Sequence, residues 1–263
     1  MIGLFLGSTD FPKKILEKIK KKKKKYFIID LTRNNFFKKD KNNYFISVGK
    51  FGQILNLIKK KKCKNVLFAG KIDKPKLSIL KLDIKGFYYL PRIIKASKLG
   101  DAAILKELIK ILKENKINVI KSTFFNPELS LKKGNFSKIK PNNADLINIR
   151  KGIKSLDNLN SHDHVQGLIV RKNKVIKKET SRGTKEMLQS ICRTKKPEGI
   201  LIKFPKRKQD IRADLPTIGL NTFIDCKKAN LKGIVLKSNQ NIFMDKNKCV
   251  SFANKNKMFI KVI

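Results

Sequence analysis

The sequence predicts an α/β protein with a doubly wound N-terminal domain and a C-terminal α/β domain built on a mixed sheet. The first half alternates short apolar runs with helical patterns, and the second half contains a longer series of short apolar runs. Between them, residues 122–160 are polar, with Asn, Ser, Gly and Pro scattered among Lys. We therefore place the N-terminal domain at residues 1–128 and the C-terminal domain at residues 129–263.

In the first half, four predicted strands alternate with three predicted helices. The strands are Ile2–Leu6, Tyr26–Leu31, Val66–Ala69 and Ile117–Ile120, and the helices are residues 12–19, Phe51–Ile58 and Ala102–Leu112. The first helix opens at Pro12, and Asp101 stands before the third as an N-cap candidate. Strands joined through helices run parallel, so this order predicts a Rossmann-like sheet with helices on both faces.

In the second half the sequence predicts six strands and two helices. The strands are Gln166–Val170, Val175–Ile176, Ile200–Phe204, Gly233–Leu236, Ile242–Met244 and Met258–Ile263. One helix follows Gly183-Thr184, and a short helix begins near Thr222. The chain has no internal repeat and no heptad pattern, so we expect a compact α/β domain here as well.

The composition is strongly basic, with a formal net charge of +43, yet arginine occupies only eight of the 63 basic positions. Proteins that bind nucleic acid usually use the planar donor fork of arginine, and aromatic residues are not interleaved with the basic ones here. We therefore expect no nucleic-acid partner. The excess lysine is interpreted as solvated charge, with attraction to an anionic membrane surface as the alternative. An apolar fraction of 41% predicts a folded core.

The cysteines and the apolar runs suggest a compartment. The four cysteines form no CxxC pair and lie far apart, at Cys63, Cys192, Cys226 and Cys249. This spacing argues against a zinc site or a disulfide framework and predicts solitary buried thiols. The opening run Ile2–Leu6 is too short for a signal peptide, and no run approaches the roughly 18 residues that span a bilayer. We expect a cytoplasmic protein, with any contact at the inner membrane being peripheral.

The most informative motif is Gln209–Gly219, which follows the apolar run Gly199–Phe204. Read as extended backbone, the motif places Asp210, Arg212 and Asp214 on one face, each about 6.6 Å from the next. Two carboxylates beside a guanidinium can hold a hard cation and a phosphate together. The alternative is a structural salt-bridge ladder on an exposed strand.

Four further segments place glycine, hydroxyl or lysine residues at the ends of predicted strands or the starts of predicted helices. They are Gly7-Ser8-Thr9, Gly49-Lys50, Gly70-Lys71 and Gly183-Thr184. Doubly wound sheets bind anionic ligands at such positions. For each of these segments the alternative is an ordinary tight turn, a solvated lysine or a helix cap. A fifth segment, Gly100-Asp101, precedes a predicted helix, and there a helix cap is the favoured interpretation over a ligand contact.

The two histidines, His162 and His164, are better explained as surface loop residues than as metal ligands, because no third histidine or cysteine lies nearby. The sequence also shows no Ser/His/Asp or Cys/His nucleophile pattern and no Walker loop.

Taken together, these motifs resemble the LpxI-type UDP-2,3-diacylglucosamine pyrophosphatases of lipid A synthesis. The resemblance rests on Gly199–Gly219 and, in matching order and spacing, on Gly7–Pro12, Gly49-Lys50, Phe68–Lys71, Gly100-Asp101, Gln166 and Gly183-Thr184. The family implies two domains with a UDP-diacylglucosamine lipid bound between them. It also implies Mg²⁺-dependent hydrolysis of the diphosphate to UMP and 2,3-diacylglucosamine 1-phosphate.

The resemblance also implies roles for individual residues. Asp210, Asp214 and Arg212 become the catalytic candidates, with the two aspartates as ligands of Mg²⁺ or another divalent cation. We expect Lys203 to bind phosphate oxygens together with Arg212. The other expected substrate contacts are Gly7, Ser8, Thr9, Lys50, Gly70, Lys71, Gly100, Asp101, Gln166, Gly183 and Thr184.

The chain departs from the family at three positions and in its opening loop, where a Gly-rich run is reduced to Gly7, with Ser8 and Thr9. Arg182 and Lys185 stand where acids are usual, and Ala102 replaces a second acid. A catalytically weakened relative that binds lipid or nucleotide sugar is therefore the main alternative, ahead of a basic nucleic-acid-binding protein. A homodimer is compatible with the sequence.

Overall fold

The computed structural model describes residues 1–72, 80–159, 165–206 and 209–263. Contacts within the chain divide it into two units, each with its own sheet and hydrophobic core. The first unit is formed by residues 1–127 together with 210–214, and the second by residues 128–209 and 215–263. A short segment of the C-terminal half therefore belongs to the first unit.

The first unit contains a parallel sheet and the helices that connect its strands. In chain order the elements are β1 (Ile2–Leu6), α1 (Asp10–Lys21), β2 (Tyr26–Asp30), β3 (Asn43–Phe45), α2 (Phe51–Lys60), β4 (Asn65–Ala69), α3 (Ile84–Ser97), α4 (Asp101–Glu114) and β5 (Asn118–Val119). The strand order is β3-β2-β1-β4-β5, and every pair is parallel. The chain runs outward in both directions from β1 and β4, and with crossovers of the usual right-handed sense this puts helices on both faces. The predicted doubly wound arrangement is confirmed.

The core of the first unit comes from apolar strands covered by amphipathic helices. All five residues of β1 are buried, as expected for a central parallel strand covered on both faces. In α1, the apolar residues Ile15, Leu16 and Ile19 recur at helical spacing and are buried. At roughly 25 cal/mol per Å² of apolar surface removed from water, this burial is the main force that holds the helix on the sheet.

The second unit is built on a mixed sheet. Its elements are a 3₁₀ turn (Pro127–Leu129), β6 (Gly134–Asn135), α5 (Asn143–Asp157), β7 (Gly167–Arg171), β8 (Lys174–Lys178), α6 (Gly183–Gln189), β9 (Ile200–Lys203), β10 (Thr217–Ile218), α7 (Leu220–Lys228), β11 (Gly233–Leu236), β12 (Ile242–Phe243), α8 (Lys246–Lys255) and β13 (Phe259–Val262). The sheet order is β6-β13-β11-β9-β7-β8, parallel from β13 to β9 and antiparallel elsewhere. The predicted mixed sheet is confirmed.

Some elements differ from the sequence-based prediction. The helices α3, α5 and α8 and the short strands β3, β6 and β10 were not predicted. Helix α5 lies in the polar stretch 122–160 and begins with a capping box, in which Asn142 and Asp145 each accept a hydrogen bond from the other's backbone. Its start is therefore stabilised by local polar residues and not by an obvious apolar pattern.

Two further predictions concern the thiols and the membrane. Cys63, Cys226 and Cys249 are buried as predicted, but Cys192 is exposed. Burial raises the pKa of the Cys226 thiol, and it raises the pKa of Cys249 to about 12, so neither is an ionised nucleophile. Within the described residues, every helix is too short or too polar to cross a bilayer.

Candidate active site

Residues 210–214 form one tight turn, so the predicted extended strand is wrong here. The backbone N–H groups of Ala213 and Asp214 both donate to the carbonyl of Asp210, at 3.1 and 3.0 Å. The Oδ1 atom of Asp210 also accepts from the N–H of Arg212 at 3.0 Å. An aspartate that binds the backbone two residues ahead commonly starts a turn. These local hydrogen bonds satisfy backbone groups that a strand partner would otherwise have to satisfy.

This turn changes the distance between the two candidate metal ligands. On an extended strand, Asp210 and Asp214 would lie about 13 Å apart. The bond from the Asp214 N–H to the Asp210 carbonyl makes them residues i and i+4 of a helical turn, for which Cβ atoms lie about 5–6 Å apart. The turn is thus better suited than the predicted strand to place both carboxylates around one small cation.

Arg212 binds the Asp210 carboxylate through two side-chain hydrogen bonds. Its Nε donates to Oδ1 at 3.0 Å, and its Nη2 donates to Oδ2 at 2.6 Å. These hydrogen bonds lower the pKa of Asp210, outweighing the desolvation that raises it, and the charge of Lys106 lowers it further. Asp210 is therefore ionised at neutral pH, while the guanidinium remains 44% exposed and open to a further anion.

The turn lies beside the carboxyl end of β5 in the first unit. The N–H of Ser122, shortly after β5, donates to the carbonyl of Arg212 at 2.7 Å, and Ala213 packs against the core of this unit. Ligands in doubly wound domains bind at the carboxyl ends of the strands. The hydroxyl of Ser122 and the Oδ1 atom of Asn126 are both buried, and within the described part of the chain neither has a hydrogen-bond partner. The sequence analysis missed these two residues, which carry no motif.

The loops after β1 and β4 meet where the strand order reverses. The N–H and the hydroxyl of Ser8 both donate to the carbonyl of Lys71, at 2.8 and 3.2 Å. A Cβ on Gly7 would lie 2.2 Å from that same oxygen, so only glycine fits. Gly70 has a φ of +86°, and a Cβ there would lie 2.5 Å from Cγ of Pro12. The structure therefore brings Gly7, Ser8, Gly70 and Lys71 together at the position where this fold binds ligands.

Thr9 and Gly100 are the N-cap residues of α1 and α4. Thr9 makes no side-chain capping bond, so its hydroxyl does not occupy the first turn of α1. Gly100 takes the cap position with a φ of +98°, and Asp101 is the first residue of α4. The prediction that Asp101 is the N-cap is wrong by one residue, because a backbone with positive φ favours glycine.

The start of α2, capped by Lys50, is already occupied by a carboxylate of the chain. Asp83 accepts from the N–H groups of Gly52 and Gln53 at 3.0 and 2.9 Å, and from that of Gly86 in α3 at 2.7 Å. Desolvation raises the pKa of Asp83, but these hydrogen bonds and the charge of Lys50 lower it overall. The first turn of α2 therefore does not offer the N–H groups of Gly52 and Gln53 to a phosphate.

The second unit contains a buried polar cluster formed by Glu179, Thr184 and Lys203. The side chains of Lys203 and Glu179 are each only 7% exposed, and Lys203 Nζ lies 3.0 Å from Oε1 of Glu179. The Thr184 hydroxyl donates to the same Oε1 at 2.6 Å and contacts Lys203 Nζ. The Oε2 atom of Glu179 is buried, and no described residue forms a hydrogen bond with it. Sequence analysis identified Thr184 and Lys203 but missed Glu179, an acid just before the Gly183-Thr184 turn.

Gln166 and Gln209 form a second polar contact in this unit. The Oε1 atom of Gln209 accepts from Nε2 of Gln166 at 2.9 Å and from the N–H of Lys206 at 2.8 Å. A main-chain N–H can only donate, so Oε1 must face Lys206, and Nε2 points the other way. That Nε2 atom is buried and has no hydrogen-bond partner among the residues that the structure describes. The side chain of Gln209, which directly precedes Asp210, can therefore donate a hydrogen bond to a ligand or to water. Buried polar groups that lack a protein partner often mark such sites.

The departures at Arg182 and Lys185 are exposed surface residues. Arg182 donates to Oε1 of Glu186 at 3.0 Å, one helical turn along α6, and Lys185 is exposed. Both side chains are exposed, whereas the cluster around Glu179 is buried and is formed with Thr184 and Lys203. Ala102 lies in the first turn of α4 and is partly buried.

Candidate metal ligands are few. Outside residues 73–79, 160–164 and 207–208, no group of three or more His, Cys, Asp or Glu side chains is placed to hold a metal ion. His162 and His164 lie outside the described residues. Mg²⁺ is usually held by only one or two carboxylates together with water and substrate phosphates. Asp210 and Asp214 fit that donor set in number and chemistry.

Comparison with known proteins identifies relatives along the full chain. The model of the LpxI N-terminal domain matches residues 1–129, and that of the LpxI C-terminal domain matches residues 132–261. A relative from Caulobacter vibrioides, named UDP-2,3-diacylglucosamine pyrophosphatase LpxI, is 26% identical over 270 residues, which cover 98% of this chain and 96% of the relative. Because the two domain models together span nearly the whole sequence, the chain belongs to the LpxI family.

Proposed function

We propose that this protein hydrolyses the diphosphate of a UDP-2,3-diacylglucosamine in lipid A synthesis, in the cytoplasm. The name of the Caulobacter relative and the match along the whole chain support the substrate class. The observation that carries the chemistry is the turn that joins Asp210, Arg212 and Asp214 at the carboxyl end of β5. It combines two carboxylates with a partly exposed guanidinium, which suits a cation and a diphosphate.

In this proposal, Asp210 and Asp214 hold a Mg²⁺ ion or another divalent cation. When bound, such an ion neutralises charge on phosphate oxygens and lowers the pKa of a nearby water. Arg212 binds a phosphate oxygen through the donors that Asp210 does not use. Ser8 and the backbone of Gly7 and Gly70 line the strand ends at which the rest of the diphosphate or the nucleotide binds.

Lys203 takes a different role from the one expected from the sequence. Its ammonium is buried against Glu179 and Thr184, and removing it to bind phosphate would leave a buried carboxylate uncompensated. We propose that Lys203 positions Glu179, whose unpaired Oε2 accepts a hydrogen bond from a hydroxyl or N–H group of the substrate. The unpaired Nε2 of Gln209 donates to a substrate oxygen in the same way.

A binding protein without catalytic activity is the second candidate. One observation favours it: both oxygens of the Asp210 carboxylate already accept hydrogen bonds from Arg212. Arg212 uses three of the roughly four acceptor sites of this carboxylate, because its backbone N–H also donates to Oδ1, so one site on Oδ2 remains for a cation. Catalysis depends on that remaining site, whereas lipid binding alone does not.

The test is an assay with purified protein, UDP-2,3-diacylglucosamine and Mg²⁺ or EDTA, with products identified by mass spectrometry. We expect UMP and 2,3-diacylglucosamine 1-phosphate with Mg²⁺, and loss of turnover by at least 100-fold in Asp210→Asn or Asp214→Asn. Asp157→Asn, an exposed acid at the end of α5, is the matched control and keeps the wild-type rate. Reaction in ¹⁸O-labelled water shows which phosphorus is attacked.

The outcomes separate the two candidates. Wild-type rates in both Asp210→Asn and Asp214→Asn would remove the turn from the active site. A protein that binds the lipid but releases no UMP under any metal condition would support the binding protein instead. Gln209→Leu adds a check on substrate contact, because loss of a ground-state hydrogen bond raises KM and leaves kcat nearly unchanged.

We also propose that the lysine-rich surface holds the protein peripherally at the anionic inner membrane, where a lipid substrate is available. Attraction of this kind contributes about 1 kcal/mol for each basic residue near an anionic surface and weakens with added salt.

A further inference from the structure

Helix α3 carries a row of exposed apolar side chains. Ile84, Phe87 and Tyr88 are 89%, 71% and 68% exposed, and Pro91 and Ile94 continue the row one and two turns later. Positions 84, 87, 88, 91 and 94 fall on one helical face. Single exposed apolar residues are normal on a protein surface, but a contiguous apolar strip marks an interaction site.

This face is not needed to hold α3 on its own unit. The opposite face already does so, because Gly86, Tyr89 and Ala96 are buried and Tyr89 belongs to the core of the first unit. The ring of Tyr89 also packs edge-on against Phe51 of α2, with the ring centroids 5.6 Å apart. Folding of the first unit therefore gives no reason for the apolar residues on the outer face.

Every charged side chain within α3 is positive. Lys85, Lys95 and Lys98 are exposed on α3 or at its end, and α3 contains no Asp or Glu. Arg92 lies on the flank, where Glu107 and Glu114 of α4 pair with it at 2.6 and 2.8 Å. By helical spacing, Lys95 and Lys98 lie on the same face as the strip, at its C-terminal end, and Lys85 lies beside it. An apolar helical face bordered by lysines is the pattern of helices that lie in the interface of an anionic membrane.

We propose that the outer face of α3 inserts into the interface of an anionic phospholipid bilayer. The apolar strip enters the boundary between headgroups and acyl chains, and the three lysines stay at the level of the anionic headgroups. This inference gives the membrane contact proposed above a defined surface. It does not depend on hydrolysis, since a bilayer without any UDP-sugar is sufficient for binding.

Two other occupants fit the observations less well. A second copy of this chain would place two lysine-flanked faces of a protein with net charge +43 against each other, and like charges oppose that contact. The acyl chains of a single substrate need a concave groove that encloses them, whereas these side chains protrude from a convex helix. A bilayer both accepts a protruding apolar strip and attracts the lysines.

The test is flotation of the full-length protein with vesicles of phosphatidylglycerol and phosphatidylcholine in a 3:7 ratio, compared with pure phosphatidylcholine. We expect the wild type to bind the anionic vesicles preferentially. Ile84→Ser/Phe87→Ser should lower the partition coefficient by about tenfold or more. The control Phe36→Ser/Phe45→Ser removes two phenylalanines of the same unit, each 54% exposed, and should change the partition coefficient by less than about twofold.

A second pair of variants tests the charges. Lys95→Gln/Lys98→Gln should lower binding to anionic vesicles by about fivefold per lysine and leave binding to neutral vesicles unchanged. Lys22→Gln/Lys24→Gln removes the same charge from an exposed run elsewhere and should have a smaller effect. Wild-type binding by the Ile84/Phe87 variant would overturn the proposal. A lipid-free dimer that this variant dissociates, seen by sedimentation velocity, would overturn it in favour of self-association. Neither result would alter the hydrolysis proposal.

Discussion

Arg212 keeps Asp210 ionised at low pH, and the pH dependence of turnover tests whether catalysis needs the ionised carboxylate. The guanidinium lowers the pKa of the carboxyl, so Asp210 stays ionised at pH values where an ordinary aspartate, with a pKa of about 3.9, begins to protonate. In Arg212→Gln the desolvation remains and the guanidinium is gone, so the pKa rises. We expect the acid limb of kcat/KM to move to higher pH, and kcat to fall by roughly 100-fold.

The matched control for this prediction is Arg182→Gln. Arg182 also pairs with an acid, Glu186, but on the exposed surface of α6. We expect it to leave the acid limb in place. If Arg212→Gln also keeps the wild-type limb, Asp210 is not the ionisation that limits activity at low pH, and its role is structural.

In the second unit, the buried ion pair with Glu179 limits the ability of Lys203 to bind a phosphate. Lys203 and Glu179 are enclosed together, and the Thr184 hydroxyl supplies a further contact to both. Breaking such a pair by removing one partner costs about 3–5 kcal/mol in proteins, because the remaining charge stays buried. Lys203 is therefore more useful as a fixed part of the cluster than as a mobile phosphate ligand, and the exposed Arg212 is better placed for that role.

The failed strand prediction at Asp210–Asp214 has a local cause. Alternating Asp, Ile, Arg, Ala and Asp residues resemble a half-buried strand. The aspartate at the first position can instead accept the backbone N–H of Arg212, and the carbonyl of Arg212 finds its donor at Ser122, far away in the sequence. Periodicity contains no information about such a distant partner, so the residue types of this site were predictable while their geometry was not.

At the scale of helices and strands, Asp83 joins two helices through one carboxylate. It accepts from Gly52 and Gln53 at the start of α2 and from Gly86 at the start of α3. Loss of a capping side chain typically costs about 1 kcal/mol, and this residue caps two helices. We expect Asp83→Ala to lower the free energy of unfolding by about 1–2 kcal/mol in urea at pH 7. The exposed Asp10→Ala in α1 should cost less than about 0.5 kcal/mol.

The same carboxylate makes stability depend on pH, with a sign fixed by its lowered pKa. A group whose pKa is lower in the folded state stabilises the fold at pH above its unfolded pKa, about 3.9, and loses that contribution as pH falls through the folded value. Asp83→Asn keeps the shape without the titration. The stability gap between wild type and Asp83→Asn should therefore be constant above about pH 5 and narrow as pH drops towards 3. A gap that widens in acid would contradict this account.

Elements with one apolar face were predictable, and elements without that pattern were not. The helices α1, α2 and α4 were found because their apolar residues recur at helical spacing. In α3, apolar residues occupy the outer face as well as the buried one and Pro91 lies inside the helix, so no single face stands out. In α5, the capping box formed by Asn142 and Asp145 was the signal available, and it precedes a mostly polar helix.

At the scale of the whole molecule, the candidate site depends on a segment that returns to the first unit. The contacts of residues 210–214 group them with residues 1–127, although their position in the sequence places them in the C-terminal half. The strand ends that carry Gly7 and Gly70 were predictable from the alternation of strands and helices, as was the parallel sheet. The return of the Asp210 turn to β5 depends on long-range contacts that a single sequence does not reveal.

The net charge of +43 affects the stability of the whole molecule, and salt tests this directly. Like charges repel within the compact fold, and raising the ionic strength from 0.01 to 0.1 M shortens the screening length from about 30 to about 10 Å. We therefore expect the urea midpoint to rise over this range of NaCl at constant m-value, which identifies a change in stability. Replacing the exposed residues Lys21–Lys24 with Gln should flatten the dependence, while Lys20 is kept because it pairs with Asp40 at 2.6 Å. A midpoint that falls with salt would mean that attractive ion pairs, and not repulsion among the lysines, dominate the electrostatics of this fold.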